Sequence, residues 1–168
     1  MSEWFRIIAF CILASITYGV VHDMVTAHIC VEYFTIAHPP VVDSTSPVVL
    51  ALVWGVLATW WVGLALGVVL ASVARFGTRR PVVLAQLTSP IVNVMLVSAL
   101  AAFAAGCVGA VLHAVDIIHI GLSWESRIAP ERHGRFLAVA WAHTASYIVG
   151  ALAGLALIIR TWRRRVAK

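Results

Sequence analysis

Three observations predict an all-α integral membrane protein, a four-helix antiparallel bundle with N- and C-termini cytoplasmic. The 168-residue chain is 62% hydrophobic and 11% charged, with a mean hydropathy of +0.97. A soluble domain is about 45–50% apolar and about 25% charged. Four apolar runs each reach the roughly 20 residues that cross a hydrocarbon layer. The basic residues gather at the ends of these runs, and mostly on one side, as cytoplasmic flanks do.

The first run covers residues 4–36, the second 48–76, the third 82–120 and the fourth 135–160, forming a single transmembrane domain. The connections are marked by Pro39, Pro40 and Pro47, then Gly77 and Pro81, then Gly121 and Pro130, all residues that break or begin helices. Such short connections imply antiparallel neighbours. Pro90 either kinks the third helix or marks its start. Arg6 followed by Ile7 to Ile16 resembles a signal peptide, but no A-x-A site follows and the apolar pattern runs on, so an uncleaved first helix is expected.

Orientation follows from charge. Arg6, Arg75, Arg79, Arg80, Arg160, Arg163, Arg164, Arg165 and Lys168 are nine of the twelve basic residues, and fall on one side with Glu3. That side is expected to be cytoplasmic. The other side holds Arg127, Arg132 and Arg135 together with Asp23, Glu32, Asp43, Asp116, Glu125 and Glu131. The net charge of +5 is therefore spent on topology and lipid contact, and no nucleic-acid partner is expected. Trp4 and Trp162 mark the inner boundary, and Trp54, Trp124 and Trp141 the outer one. Trp60 and Trp61 fall deeper, either in the bundle core or against the polar residues.

Helix contacts are expected at Gly63-x-x-x-Gly67, Ala102-x-x-x-Gly106, Ala105-x-x-x-Gly109 and Gly150-x-x-x-Gly154, where small side chains let backbones approach. The spacing leaves open contact within the chain, a homo-oligomer, or a subunit of a membrane complex. Cys11, Cys30 and Cys107 have no CxxC spacing, which argues against a disulfide framework or a zinc ribbon.

All seven histidines fall in the outer half. Counting about 1.5 Å of rise per residue, His22 above Arg6 and His143 above Arg160 both stand roughly 25 Å from the inner boundary. Helical phase turns His22, Asp23 and Thr26 to the bundle, with His28 and Glu32 on a separate stripe. On the third helix His113, Asp116 and His119 follow at intervals of three, a spacing shared with carboxylate-histidine motifs of soluble four-helix metal proteins.

Ionisable residues inside a membrane are costly, so they point to function. The leading expectation is a transition metal ion, Zn, Fe or Cu, near the periplasmic face, with His22, Asp23, His28, Glu32, His113, Asp116, His119 and His143 as candidate ligands. An open coordination position would admit redox or hydrolytic chemistry, although no substrate is indicated and no catalytic residue is assigned. Three alternatives use the same residues: a haem held by His22 and His143, proton or ion passage through His22, Asp23 and Asp116, and a non-catalytic anchor or subunit with interhelical hydrogen bonds. No phosphate-binding glycine loop, G-x-S-x-G or H-E-x-x-H motif is present.

The run from Tyr18 to Thr26 (YGVVHDMVT), with Glu32-Tyr33-Phe34-Thr35 and Ala58-Thr59-Trp60-Trp61-Val62-Gly63, resembles a family of small, uncharacterised four-helix bacterial integral membrane proteins. The resemblance covers mainly the first two helices. It implies a multi-pass protein of the bacterial inner membrane and implies no activity.

Overall fold

The computed structural model describes residues 2–166, so Lys168, counted above with the inner-side bases, lies outside the described residues. Among the described residues the structure is all-helical, and four helical stretches, Glu3–Ile29, Pro47–Arg75, Leu84–Ala114 and Pro130–Val166, are long and apolar enough to cross a membrane. Helices α1 (Glu3–Ile29), α5 (Leu84–Ala114) and α7 (His133–Val166) are long and continuous. Shorter pieces are α2 (Glu32–Thr35), α3 (Pro47–Leu57), α4 (Trp60–Arg75) and α6 (Leu122–Glu125), with a 3₁₀ turn at Pro130–Arg132 leading into α7.

The observed helices depart from the expected runs in several places, three of them with a local cause. The first run is interrupted at Cys30, whose extended backbone (φ −150°, ψ 96°) ends α1 and redirects the chain into α2. Cys30 is fully buried against Ile120, Ile128, Phe136 and Val139, so the break is held by packing. The second run divides at Ala58–Thr59, where the Thr59 hydroxyl donates to the Gly55 carbonyl one turn back and competes with the helical ladder.

The third run stops six residues early, at Ala114. Asp116 adopts a left-handed backbone (φ 62°), which aspartate tolerates better than most residues, and the amides of Ile117 and Ile118 fold back on the Leu112 carbonyl. Pro90 lies inside α5 and does not mark its start. The fourth run is longer than expected at both ends, from His133 to Val166.

The small residues act within the chain. A Cβ on Gly63 would stand 2.7 Å from the Cys11 carbonyl, one on Gly67 2.9 Å from the Cys11 Cβ, and one on Gly19 2.5 Å from the Gly55 carbonyl. These contacts bind α1 closely to α3 and α4. Gly106 and Gly109 face Ala138 and Trp141 and bring α5 against α7 in the same way. The two tight pairs meet where Gly154 of α7 receives Leu66 of α4, above a core of Ile7, Ile8, Leu70, Leu87, Ile91 and Ile158.

One end of the bundle is tied by charge to backbone. The Glu3 carboxylate accepts from the Leu84 amide at 3.0 Å, serving an otherwise unpaired donor at the start of α5, and also holds Arg6. Arg165, 8% exposed, donates to the carbonyls of Val73, Phe76, Arg79 and Arg80 and closes the α4 C-terminus and the loop after it. A guanidinium has five donors in a fixed fork, and a single ammonium cannot reach four such acceptors.

Overpacking a close helix crossing typically costs about 1–3 kcal/mol. Gly63→Leu is therefore expected to lower the thermal midpoint in detergent by several degrees, whereas Gly121→Ala, whose added Cβ would sit at an ordinary 3.6 Å from Trp124, should leave it unchanged. Arg165→Lys is expected to speed protease cleavage within residues 76–82 relative to the parent chain, measured by mass spectrometry of the fragments.

Candidate metal centre

The last turns of α1 place three polar groups on the inward face: His22, Asp23 (4% exposed) and Thr26. From α7 comes His143, also 4% exposed. One ligand atom each from His22, Asp23 and His143 lies within 4.8 Å of the others. The His22 and His143 rings meet edge to face with centroids 4.5 Å apart.

Hydrogen bonding leaves this cluster incomplete. His143 Nε2 lies 3.2 Å from the Thr26 hydroxyl, which itself donates to the His22 carbonyl. Asp23 Oδ1 is 3.8 Å from His143 Nε2, too far for a hydrogen bond. Nε2 of His22 is buried with no hydrogen-bond partner among the described residues. Buried polar atoms are nearly always satisfied, and a native exception calls for an explanation.

Aromatic rings enclose the cluster above and below. Tyr33 of α2 stacks on His143 (4.6 Å, 30°), and Phe34 meets the same ring edge-on (5.6 Å, 71°). His38 packs on Tyr33 and Trp54 and bonds through Nδ1 to the Tyr33 carbonyl. The break at Cys30 is what turns α2 back over the site. Below, Tyr18 stacks on His22 (5.8 Å, 19°), and its hydroxyl lies 2.7 Å from Ser146 Oγ. Burial pushes the Cys30 thiol up to about 11, reinforced by its hydrogen bond to Glu32, and burial likewise raises the Tyr33 phenol.

No known family, curated protein or solved structure matches this chain. The reading of the site therefore rests on its own geometry.

The other expected ligands do not join the cluster. His28 is exposed and bonds to the Met24 carbonyl, and Glu32 pairs with Arg132 (3.6 Å). His113 Nδ1 bonds to the Ile118 carbonyl, while Asp116 and His119 form an exposed pair 3.8 Å apart. The reason is the early end of α5: past Ala114 the three-residue spacing no longer corresponds to a helical face. His133, outside the ligand set, bonds to the Ile128 carbonyl.

Several neighbours of the cluster were not expected from sequence: Tyr18, Thr59, Ser146 and Tyr147 all line the cavity beside it. Spacing carried a usable signal for three of them. Tyr18 is one turn before His22, and Ser146 and Tyr147 are one turn after His143, on the same helix faces. Trp61 lines this cavity, but Trp60 (43% exposed) and Trp61 (55%) are not buried in the bundle core as one expected placement had them.

A neutral, enclosed thiol reacts slowly because the thiolate is the nucleophile. With its pKa raised, Cys30 forms thiolate only as pH climbs toward about 11. Aqueous maleimide at pH 7 is expected to spare Cys30 in the folded protein and to label it promptly after unfolding in SDS, read by peptide mass.

Proposed function

We propose that the chain is an antiparallel four-span protein of the bacterial inner membrane, with both termini cytoplasmic, that binds one transition metal ion through His22, Asp23 and His143 near the periplasmic face. The observation that carries this reading is the buried carboxylate of Asp23 beside a buried imidazole nitrogen, on His22, that has no partner. A buried charge must be paired, neutralised or given to a metal. Two histidines and one carboxylate are a ligand set used by zinc and by non-haem iron, with positions left for another ligand.

The spacing supports a single ion. Ligands around a tetrahedral zinc at about 2.0–2.1 Å stand about 3.4 Å from one another. The three atoms, within 4.8 Å, reach that separation by side-chain rotation. Ring contact between His22 and His143 weighs against haem, because a macrocycle has to lie between two axial imidazoles. Thr26 and the stacked Tyr18 and Tyr33 then orient the two ligand rings, as outer-shell groups do at metal sites.

The topology is supported by charge: Arg75, Arg79, Arg80, Arg160, Arg163, Arg164 and Arg165 fall at one end of the bundle, away from the cluster. An ion at this site with an open position supports hydrolytic or redox chemistry, with the reacting group drawn from the adjoining cavity.

Metal analysis of protein purified in detergent without chelator is expected to show about one equivalent of Zn, Fe or Cu per chain, the number of ions three ligands hold. His22→Ala, Asp23→Ala and His143→Ala should each abolish it, and His119→Ala should not. Folded protein that carries no metal, takes up none on titration and has a chelator-independent melting point would favour the non-catalytic anchor.

A further inference from the structure

Beside the cluster lies a cavity of about 610 Å³, within the range of about 300–1,000 Å³ that small-molecule sites occupy. Its chemistry is divided. One end carries His22, Asp23, His143 and the bonded pair Tyr18–Ser146, whereas the remainder is largely apolar, with Val62, Leu66, Met95 and Ala151 among its walls. One polar end and a long apolar remainder match a molecule with a polar head and a hydrocarbon body.

α4 and α7 touch where Gly154 receives Leu66, and the cavity lining is exposed on α4 at Trp61 (55%) and on α7 at Tyr147 (50%), which points to an opening between these two helices. The opening lies along spans apolar enough for a bilayer, so in a membrane it faces lipid. The lining includes Ala58 and Thr59, the break between α3 and α4. Irregular backbone at membrane depth persists where protein buries it or where it lines a cavity, and discontinuous helices often border transported or bound molecules.

The lining also restricts the head. It contains no Arg or Lys, and Asp23 is its one acid, so a phosphate has no counter-charge here. An uncharged head bearing carbonyl or hydroxyl oxygens does have partners: the Tyr18 and Tyr147 hydroxyls, and the Nε2 of His22 whenever no ion is bound to it. The aromatic faces of Tyr18, Trp61 and Tyr147 favour a flat ring over a flexible alcohol.

We propose that this cavity binds a lipid-soluble molecule of the quinone or quinol class, its ring seated against His22 and its hydrocarbon tail leaving between α4 and α7. The proposal draws on the metal reading only for one point, that the head's oxygen fills a coordination position left by His22, Asp23 and His143. The cavity, its mouth and its lack of cations stand independently of that ion.

The test uses the full chain in detergent, with decylubiquinone as the probe and phosphatidylglycerol in a parallel arm, each followed by equilibrium binding and thermal shift. Saturable binding of decylubiquinone is expected. Ala151→Trp, which adds bulk to the lining about two turns of α7 away from His143, should weaken it by at least about ten-fold while metal content stays that of the parent. Ala65→Trp on the opposite lip serves if Ala151→Trp does not yield monodisperse protein. Chelator-treated protein that still binds the probe saturably supports this site while counting against coordination of the head by an ion. Full metal content with no saturable probe binding, probe binding indifferent to both mouth variants, or displacement of the probe by equimolar phosphatidylglycerol would each overturn the quinone assignment, the last in favour of a phospholipid.

Discussion

The burial of one carboxylate organises one end of the bundle. Asp23 sits at 4% exposure on a helix otherwise suited to hydrocarbon, where an isolated charge is costly. Offsetting that cost requires the other polar groups to be where they are. His143 must come from α7, Thr26 must hold it, and the aromatic rings of α2 must keep water away from the group they cover. The break at Cys30 follows from the same requirement, since a continuous α1 would carry Tyr33 and Phe34 past the site.

Two kinds of contact make such a site affordable. Close packing at glycine sets α1 against α3 and α4, and α5 against α7, so the helices that bear His22, Asp23 and His143 hold a definite register. At the opposite end, Glu3 and Arg165 satisfy backbone amides and carbonyls that the helix ends leave free. Beside the cluster the packing leaves a cavity lined by residues of α1, α4, α5 and α7.

Residues expected to act together prove to have separate occupations. Glu32 is engaged by Arg132 and Cys30, and His113, His28 and His133 each bond to a nearby backbone carbonyl. The acceptors are the loop carbonyls of Ile118 and Ile128 and, for His28, a carbonyl one turn back on its own helix, so each bond is made with nearby chain. His22 differs in having no such bond at Nε2, which is why it marks the site.

Composition and periodicity were enough to determine the all-helical chain and its four long apolar stretches, because the length and apolarity needed to cross a bilayer are properties of a segment taken alone. Helical phase and rise were enough to turn His22, Asp23 and Thr26 one way and to bring His143 to a similar depth. The tertiary structure alone decided that α5 ends before Asp116, that the second stretch divides at Thr59, and that a cavity opens beside His22. Those outcomes depend on which neighbour satisfies each backbone group and on how closely two helices approach at glycine, and neither is encoded in the pattern of a single helix.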